Sequence, residues 1–331
     1  MNSRSRTLTI LDVGHGNSAV LVDDKGTLVI DAGPRNALLE YLKESGVSHI
    51  DVVLVSHADR DHINGLIGLL SSDEFTIGRI RLNTDSTKES AAWDNLLWEL
   101  NDQHKKKKID FNTTLAARTG EDLSCGSVRV EVLGPSLYLT AKGPGSTDRR
   151  GRKITSNSIS AVIRLSYGGI VLVVLTGDID EVGIENLRDD KVDMKGKTLV
   201  FPHHGGNLSA KDNSKIVQQL IELASPDNVI FSIGRGVHST PRPEIVEAVR
   251  KMLPKVYIAC TQLSEHCADK LPINYPRYVD DIFAVGREKR TCCAGSVRID
   301  VNTGDIVSPL PEEHRRFIDV NIPTPLCTRE P

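Results

Sequence analysis

Aromatic residues are scarce in this 331-residue chain, with two Trp, six Tyr and six Phe. That leaves little ring surface for a base-stacking platform. Long apolar runs are missing as well. The longest, residues 169–175, has the length of a strand rather than the ~20 residues that a membrane span needs. Neither sign of charge dominates: 41 Lys+Arg stand against 44 Asp+Glu, a net charge of −3. This excludes a surface that is one basic glove for nucleic acid and leaves room for a local basic track. The six cysteines (Cys125, Cys260, Cys267, Cys292, Cys293 and Cys327) make no disulfide framework in a chain of this length. The opening MNSRSRTLTILDV reaches Asp12 too early for a secretory signal. The expectation is a cytoplasmic protein with reduced thiols and no membrane contact. With 39% hydrophobic and 26% charged residues, the chain has enough apolar material to fold.

The first half reads as strands with helices inserted. Residues 8–13, 19–22 and 28–30 are short apolar runs, and Asp23-Asp24-Lys25-Gly26 is a hairpin signal between the second and third. Residues 36–44 have helical spacing and stop near Gly46, while 52–55 form a buried-strand run followed by a helical stretch at 63–70. Residues 80–82 and 128–133 read as strands and 89–100 as a helix with both tryptophans. Residues 141–153 are a Gly-, Pro-, Ser- and Arg-rich loop. Strands at 158–165 and 170–175 follow. From there helices at 181–187, 214–223 and 244–252 alternate with strands at 199–201, 229–233 and 256–259, and the last strand is 296–301. The pattern predicts two sheets faced by helices in one layered α/β domain, residues 1–308, with a C-terminal tail, residues 309–331.

Polar residues of the metal-binding type recur where apolar strands end, which is where α/β folds place their sites. His57, Asp59, Asp61 and His62 fall within six residues after the strand at 52–55. Two carboxylates between two imidazoles are most simply compensated by a divalent metal or a pair of them. The bland alternative is a helix-capping loop with Asp59 or Asp61 as N-cap. Further along, Asp178 ends one strand, His203 and His204 end another, and His238 follows a fourth.

These residues sit in a series of ordered motifs that resemble the metallo-β-lactamase superfamily, and within it the ComEC-like domains. Leu11-Asp12-Val13-Gly14-His15-Gly16-Asn17-Ser18 is similar to that group's LDVGQGDS, and Ile30-Asp31-Ala32-Gly33 to its IDAG turn. Ser56-His57-Ala58-Asp59-Arg60-Asp61-His62-Ile63-Asn64-Gly65 is similar to SHxDxDHxGG. Asn157-Ser158, Thr176-Gly177-Asp178, Pro202-His203-His204-Gly205 and His238 keep the same order. The resemblance implies a four-layer αββα sandwich with a dinuclear site at one edge. His57 and Asp59 would hold one ion and Asp61 and His62 the other. Asp178 would bridge them, and His203 or His204 would complete a sphere. Asp12 and Asp31 would brace the ligand loops, and His238 would be a ligand or a transition-state donor.

Two departures from the wider superfamily matter. Asp59 stands where a His is usual, and the later interval that should hold another His offers only His104, among four lysines. The oxygen-rich site favours Mn²⁺ or Mg²⁺ relative to Zn²⁺, while affinity order still favours zinc. Two cations across a carboxylate would generate hydroxide near neutral pH and clamp both oxygens of a phosphodiester. The resemblance therefore implies a nuclease or other phosphodiesterase acting on nucleic acid, DNA before RNA, in which Asp61 and His238 act on the reacting groups. Residues 105–108 and 149–153 are the candidate basic tracks. Two other readings stand beside it. One is a thioester- or lactone-type hydrolase on the same fold, and the other a weakly active effector subunit with a protein partner.

Other signals fail on context. Gly14-His15-Gly16-Asn17-Ser18-Ala19 fits a dinucleotide fingerprint but leads into a strand, not a helix. Gly196-Lys197-Thr198 lacks the upstream Gly of a phosphate loop, and GxSxG is absent. Cys260, His266, Cys267, Cys292 and Cys293 have ligand chemistry for a structural zinc but no finger spacing, so buried thiols are expected.

Overall fold

The computed structural model describes residues 6–328. Apolar alternation builds it. In β1 (Thr7–Ile10), β2 (Ala19–Asp23) and β3 (Gly26–Ile30), Leu8, Ile10, Leu21, Leu28 and Ile30 face one way, whereas Val20, Val22 and Val29 face the other. Residues two apart along a strand share a face, so each strand feeds two cores. The chain continues through α1 (Ala37–Glu44), β4 (His49–Val55), α2 (Arg60–Leu70), β5 (Thr76–Leu82), α3 (Ala91–Lys105) and β6 (Asp110–Asn112). Then come β7 (Arg129–Gly134), α4 (Leu137–Lys142), β8 (Val162–Tyr167), β9 (Ile170–Leu175), α5 (Glu181–Asp189) and β10 (Thr198–Val200). The remainder is α6 (Asn213–Ala224), β11 (Asn228–Phe231), α7 (Pro243–Met252), β12 (Tyr257–Cys260), α8 (Gly286–Lys289), β13 (Val297–Asp300), β14 (Ile306–Ser308) and α9 (Pro311–Asn321).

Eight strands form one sheet in the order β14-β13-β1-β2-β3-β4-β5-β6, and six form the other in the order β12-β11-β10-β9-β8-β7. β3 to β6 run parallel, as do β9 to β12. Their crossover helices cover the outer faces, as parallel strands require. Leu38, Leu66 and Leu96 of α1, α2 and α3 bury against Val29, Val53 and Ile80 of the first sheet. Ile184, Leu220, Ile245 and Phe317 of α5, α6, α7 and α9 bury against Val174, Leu199 and Phe231 of the second. Leu28, Leu54, Leu165, Val173 and Val200 fill the space between the sheets. The result is the expected αββα sandwich, with three apolar layers between four layers of structure.

Most predicted elements fall within two residues of the observed ones. The segment read as a tail instead carries α9, whose Phe317 and Ile318 join the outer core of the second sheet. β6 and β14, three residues each, have no apolar run long enough to announce them. No helix among the described residues is long and apolar enough to cross a membrane.

Candidate metal centre

The loops leaving β1, β3, β4, β9, β10 and β11 meet at one end of the two sheets, tied together by main-chain bonds. Ala32 N donates to His62 O (2.8 Å), Asn17 N to Asp61 O (3.3 Å), Ala161 N to Ser56 O (2.9 Å) and His203 N to Gly177 O (3.2 Å). Gly65 permits another close approach. A Cβ there would lie 2.6 Å from Gly33 O and 3.1 Å from Ala32 O, so the start of α2 can pack directly on the Ala32-Gly33 turn.

His62 is fully buried. Its Nδ1 lies 2.7 Å from Asp31 Oδ2, and Asp31 also accepts from Ser56 N (2.7 Å) and Ser56 Oγ (2.8 Å). A carboxylate only accepts, so Nδ1–H is the donor and Nε2 is turned to Asp178 Oδ1 at 3.2 Å. His204 is held the same way: Nδ1–H donates to Ser232 O (2.6 Å), and Nε2 lies 3.1 Å from Asp61 Oδ2 and 3.6 Å from Asp178 Oδ1. One ligand atom from each of Asp61, His62, Asp178 and His204 falls within 4.8 Å of the other three. Burial opposes charge on every one of them. Even so, Asp178, Asp31 and Asp61 together hold His62 well above the ordinary imidazole pKa. His204 and His62 in turn hold Asp178 well below the carboxylate range. The pocket is thus wired for a positive charge at its centre.

A divalent cation fits these residues. His62 Nε2 and Asp178 Oδ1 have only each other, at 3.2 Å, and His57 Nε2 is buried without a hydrogen-bond partner; such a costly arrangement is relieved by an ion among Asp61, His62, Asp178 and His204. Two carboxylates and two imidazoles whose outer nitrogens are already bonded make a suitable donor set. A second set is only partly assembled. His57 Nε2 lies 3.7 Å from Asp178 Oδ2 and 3.9 Å from Asp59 Oδ1. Asp59 does stand at the N-cap of α2, but its side chain makes no capping bond; it meets Lys88 Nζ at 2.5 Å instead.

Two of the sequence candidates lie outside this group. His203 and His204 both adopt left-handed conformations (φ 52° and 54°), which reverse the chain and send the two rings apart. His203 Nδ1 bonds Asn207 O at 2.9 Å, so His204 alone points inward. His238 is exposed and stands one ring further out, 4.7 Å from His15 between centroids. His15 was legible only as motif spelling. In the fold its ring lies 4.3 Å from that of His204, and its Nε2 is 3.7 Å from Asp61 Oδ2. Burial, aided by His204, lowers its pKa to about 4, so it is neutral. Asp12, fully buried, accepts from Gly14 N, Gly286 N and Gln262 Nε2, bracing the loop that presents His15.

The candidate basic tracks are largely engaged elsewhere along the chain. Lys88 and Ser90 precede α3, whose 15 residues span about 22 Å before reaching Lys105. In the other segment, Arg150 pairs with Glu185 and Asp189, Arg152 with Asp148 and Glu185, and Arg149 lies over the Tyr138 ring. A cleft of about 790 Å³ runs along β7, where Arg129 and Arg164 both pair with Glu131. Among the described residues the late cysteines converge on no ligand group and form no disulfide. Burial drives the Cys260 and Cys293 thiols well above their usual pKa, as neutral buried thiols require.

Comparison with known proteins agrees with this geometry. The metallo-beta-lactamase superfamily profile matches residues 11–226. ComE operon protein 3 of Bacillus subtilis (strain 168) is 23% identical over 250 residues, 69% of this chain and 28% of that protein. Ribonuclease Z of Clostridioides difficile (strain 630) is 38% identical over 71 residues, 21% of this chain and 22% of that one. The chain spans less than a third of these relatives' lengths. The metallo-beta-lactamase fold protein YhfI from Bacillus subtilis aligns over 77% of this chain and 96% of its own, with TM-score 0.47 and 13% identity. With the profile covering most of the chain, from the first motif past the inward-pointing His204, the chain belongs to the metallo-beta-lactamase superfamily of metal-dependent hydrolases.

Proposed function

We propose that the chain is a metal-dependent phosphodiesterase acting on nucleic acid, DNA before RNA. The observation that carries the reading is the convergence of one ligand atom each from Asp61, His62, Asp178 and His204 within 4.8 Å of one another. Support for the substrate class comes from the ComEC-like spelling of the motifs and from relatives named ComE operon protein 3 and ribonuclease Z. Asp61, His62, Asp178 and His204 would hold the ion, with His57 and Asp59 on the other side of Asp178. A divalent ion supplies Lewis acidity and lowers the pKa of water. The remaining work falls to the chain. Asp31 and the Ser232 carbonyl fix the two imidazoles, so no donor has to reorganise as charge develops on phosphorus. His15, neutral, offers a hydrogen bond at the inner wall, and His238 stands outside it where a phosphoryl or leaving oxygen would enter. Asp59, Asp61 and Asp178 would repel a phosphate until cations offset them.

The test is cleavage of labelled single- and double-stranded DNA and RNA with Mn²⁺, Mg²⁺ or Zn²⁺, with Asp61→Ala and Asp178→Ala beside the wild type. Cleavage with at least one ion, lost in both variants, is expected. Metal-loaded protein that cleaves none of these but hydrolyses thioesters or lactones would move the chain to that chemistry.

A further inference from the structure

The two sides of Asp178 are unequal. On one side four donors close on a common point. On the other, His57 Nε2, Asp59 Oδ1 and Asp178 Oδ2 make an open triangle with edges of 3.9 and 3.7 Å from His57. One corner of this triangle is already taken, because Lys88 Nζ sits 2.5 Å from Asp59 Oδ1. Lys88 comes from the loop between β5 and α3 with its side chain 28% exposed, and Asp59 is the ion-pair partner that it meets there. Asp59 is available for this because its carboxylate makes no capping bond to α2. An ammonium and a divalent cation on the same carboxylate oxygen repel each other strongly at such range.

We propose that the Lys88 ammonium takes the place of a second divalent cation. The chain then holds one tightly bound ion, at Asp61, His62, Asp178 and His204, and Lys88 is the other positive charge facing the substrate. Lysine suits this position: it is a compact point charge on a flexible stem, able to leave Asp59 for a phosphoryl oxygen. The inference rests on the hydrolase reading and deepens it, since the substrate it implies is an anion that one metal and one ammonium can grip together.

Metal stoichiometry tests it directly. Wild type, Lys88→Met and Lys88→Arg are equilibrated with Mn²⁺, and bound metal per chain is read by elemental analysis and calorimetric titration. The expected result is one ion for wild type and Lys88→Arg. Lys88→Met should take up a second ion, at least tenfold more tightly than any second event in wild type. Its cleavage should be weak when one ion is bound and recover as the second site fills. Two ions of comparable affinity in wild type, or a single ion in Lys88→Met, would overturn the role of Lys88 while leaving the hydrolase reading intact. A wild type that binds no ion would overturn both.

Discussion

Asp31 contributes no atom to the four-donor cluster, yet it fixes which nitrogen of His62 faces that cluster. Asp31→Asn would present an amide N–H or a neutral oxygen to Nδ1 and release the tautomer. The expected loss is about 10–100-fold in metal affinity with the fold retained, read by calorimetry beside circular dichroism. A pH effect belongs to a residue outside the donor cluster. His314 is buried between Tyr257 Oη and Cys293 Sγ, and burial, with help from Arg315, lowers its pKa to about 4. The unfolded chain therefore binds an extra proton between pH 6.5 and 4. The stabilisation is fully present above pH 6.5 and is lost as pH falls toward 4. It amounts to about 2 kcal/mol between pH 7 and 5. Urea titrations at the two pH values should show His314→Gln losing correspondingly less stability than wild type; equal losses would contradict the assignment. At this scale the sequence was informative about residue type and weak on direction. Nothing periodic separates His203 from His204, because two successive left-handed residues decide it. Lys88 is a single lysine in a polar loop until the fold brings it to Asp59.

Elements were more legible, because strands that feed two cores must be apolar at nearly every position. The runs in β2, β3, β4 and β9 stood out for that reason. α9 did not: its 11 residues bury only His314, Phe317 and Ile318, so proline and charge dominate its spelling. Its packing is nonetheless substantial, and Ile318→Ala should cost about 2–5 kcal/mol in denaturant titration through the cavity left beneath the helix. The seating of α2 is stricter. Gly65→Ala would drive a Cβ into the carbonyls of Gly33 and Ala32. A loss of about 1–3 kcal/mol is expected, together with weaker metal binding, since His62 and Asp61 sit on the displaced turn. Unchanged metal affinity in a destabilised Gly65→Ala would show that this contact does not position the donors.

Across the whole molecule, two sheets bring to one edge loops as far apart in sequence as Gly16 and Ser232, which are hydrogen-bonded there, and opposite charges complete each other. The ordered motifs made this topology legible, since those that carry the donors each lie just beyond an apolar strand. The surface electrostatics were not legible, because whether an arginine is free or paired depends on α5 lying beside the loop. With Lys105 about 22 Å along α3 from its start, and Arg150 and Arg152 paired with acidic side chains, neither basic segment offers a continuous free track. Substrate binding should accordingly show a shallow salt dependence, with a log–log slope of about −1 to −3. A slope near −6 or steeper would reveal an extended basic track. The central claim is that Asp61, His62, Asp178 and His204 share one divalent ion. It is tested most directly by an anomalous difference map from crystals grown with Mn²⁺. A strong peak about 2.0–2.3 Å from one atom of each of the four residues is predicted, and density elsewhere with none at that point would contradict it.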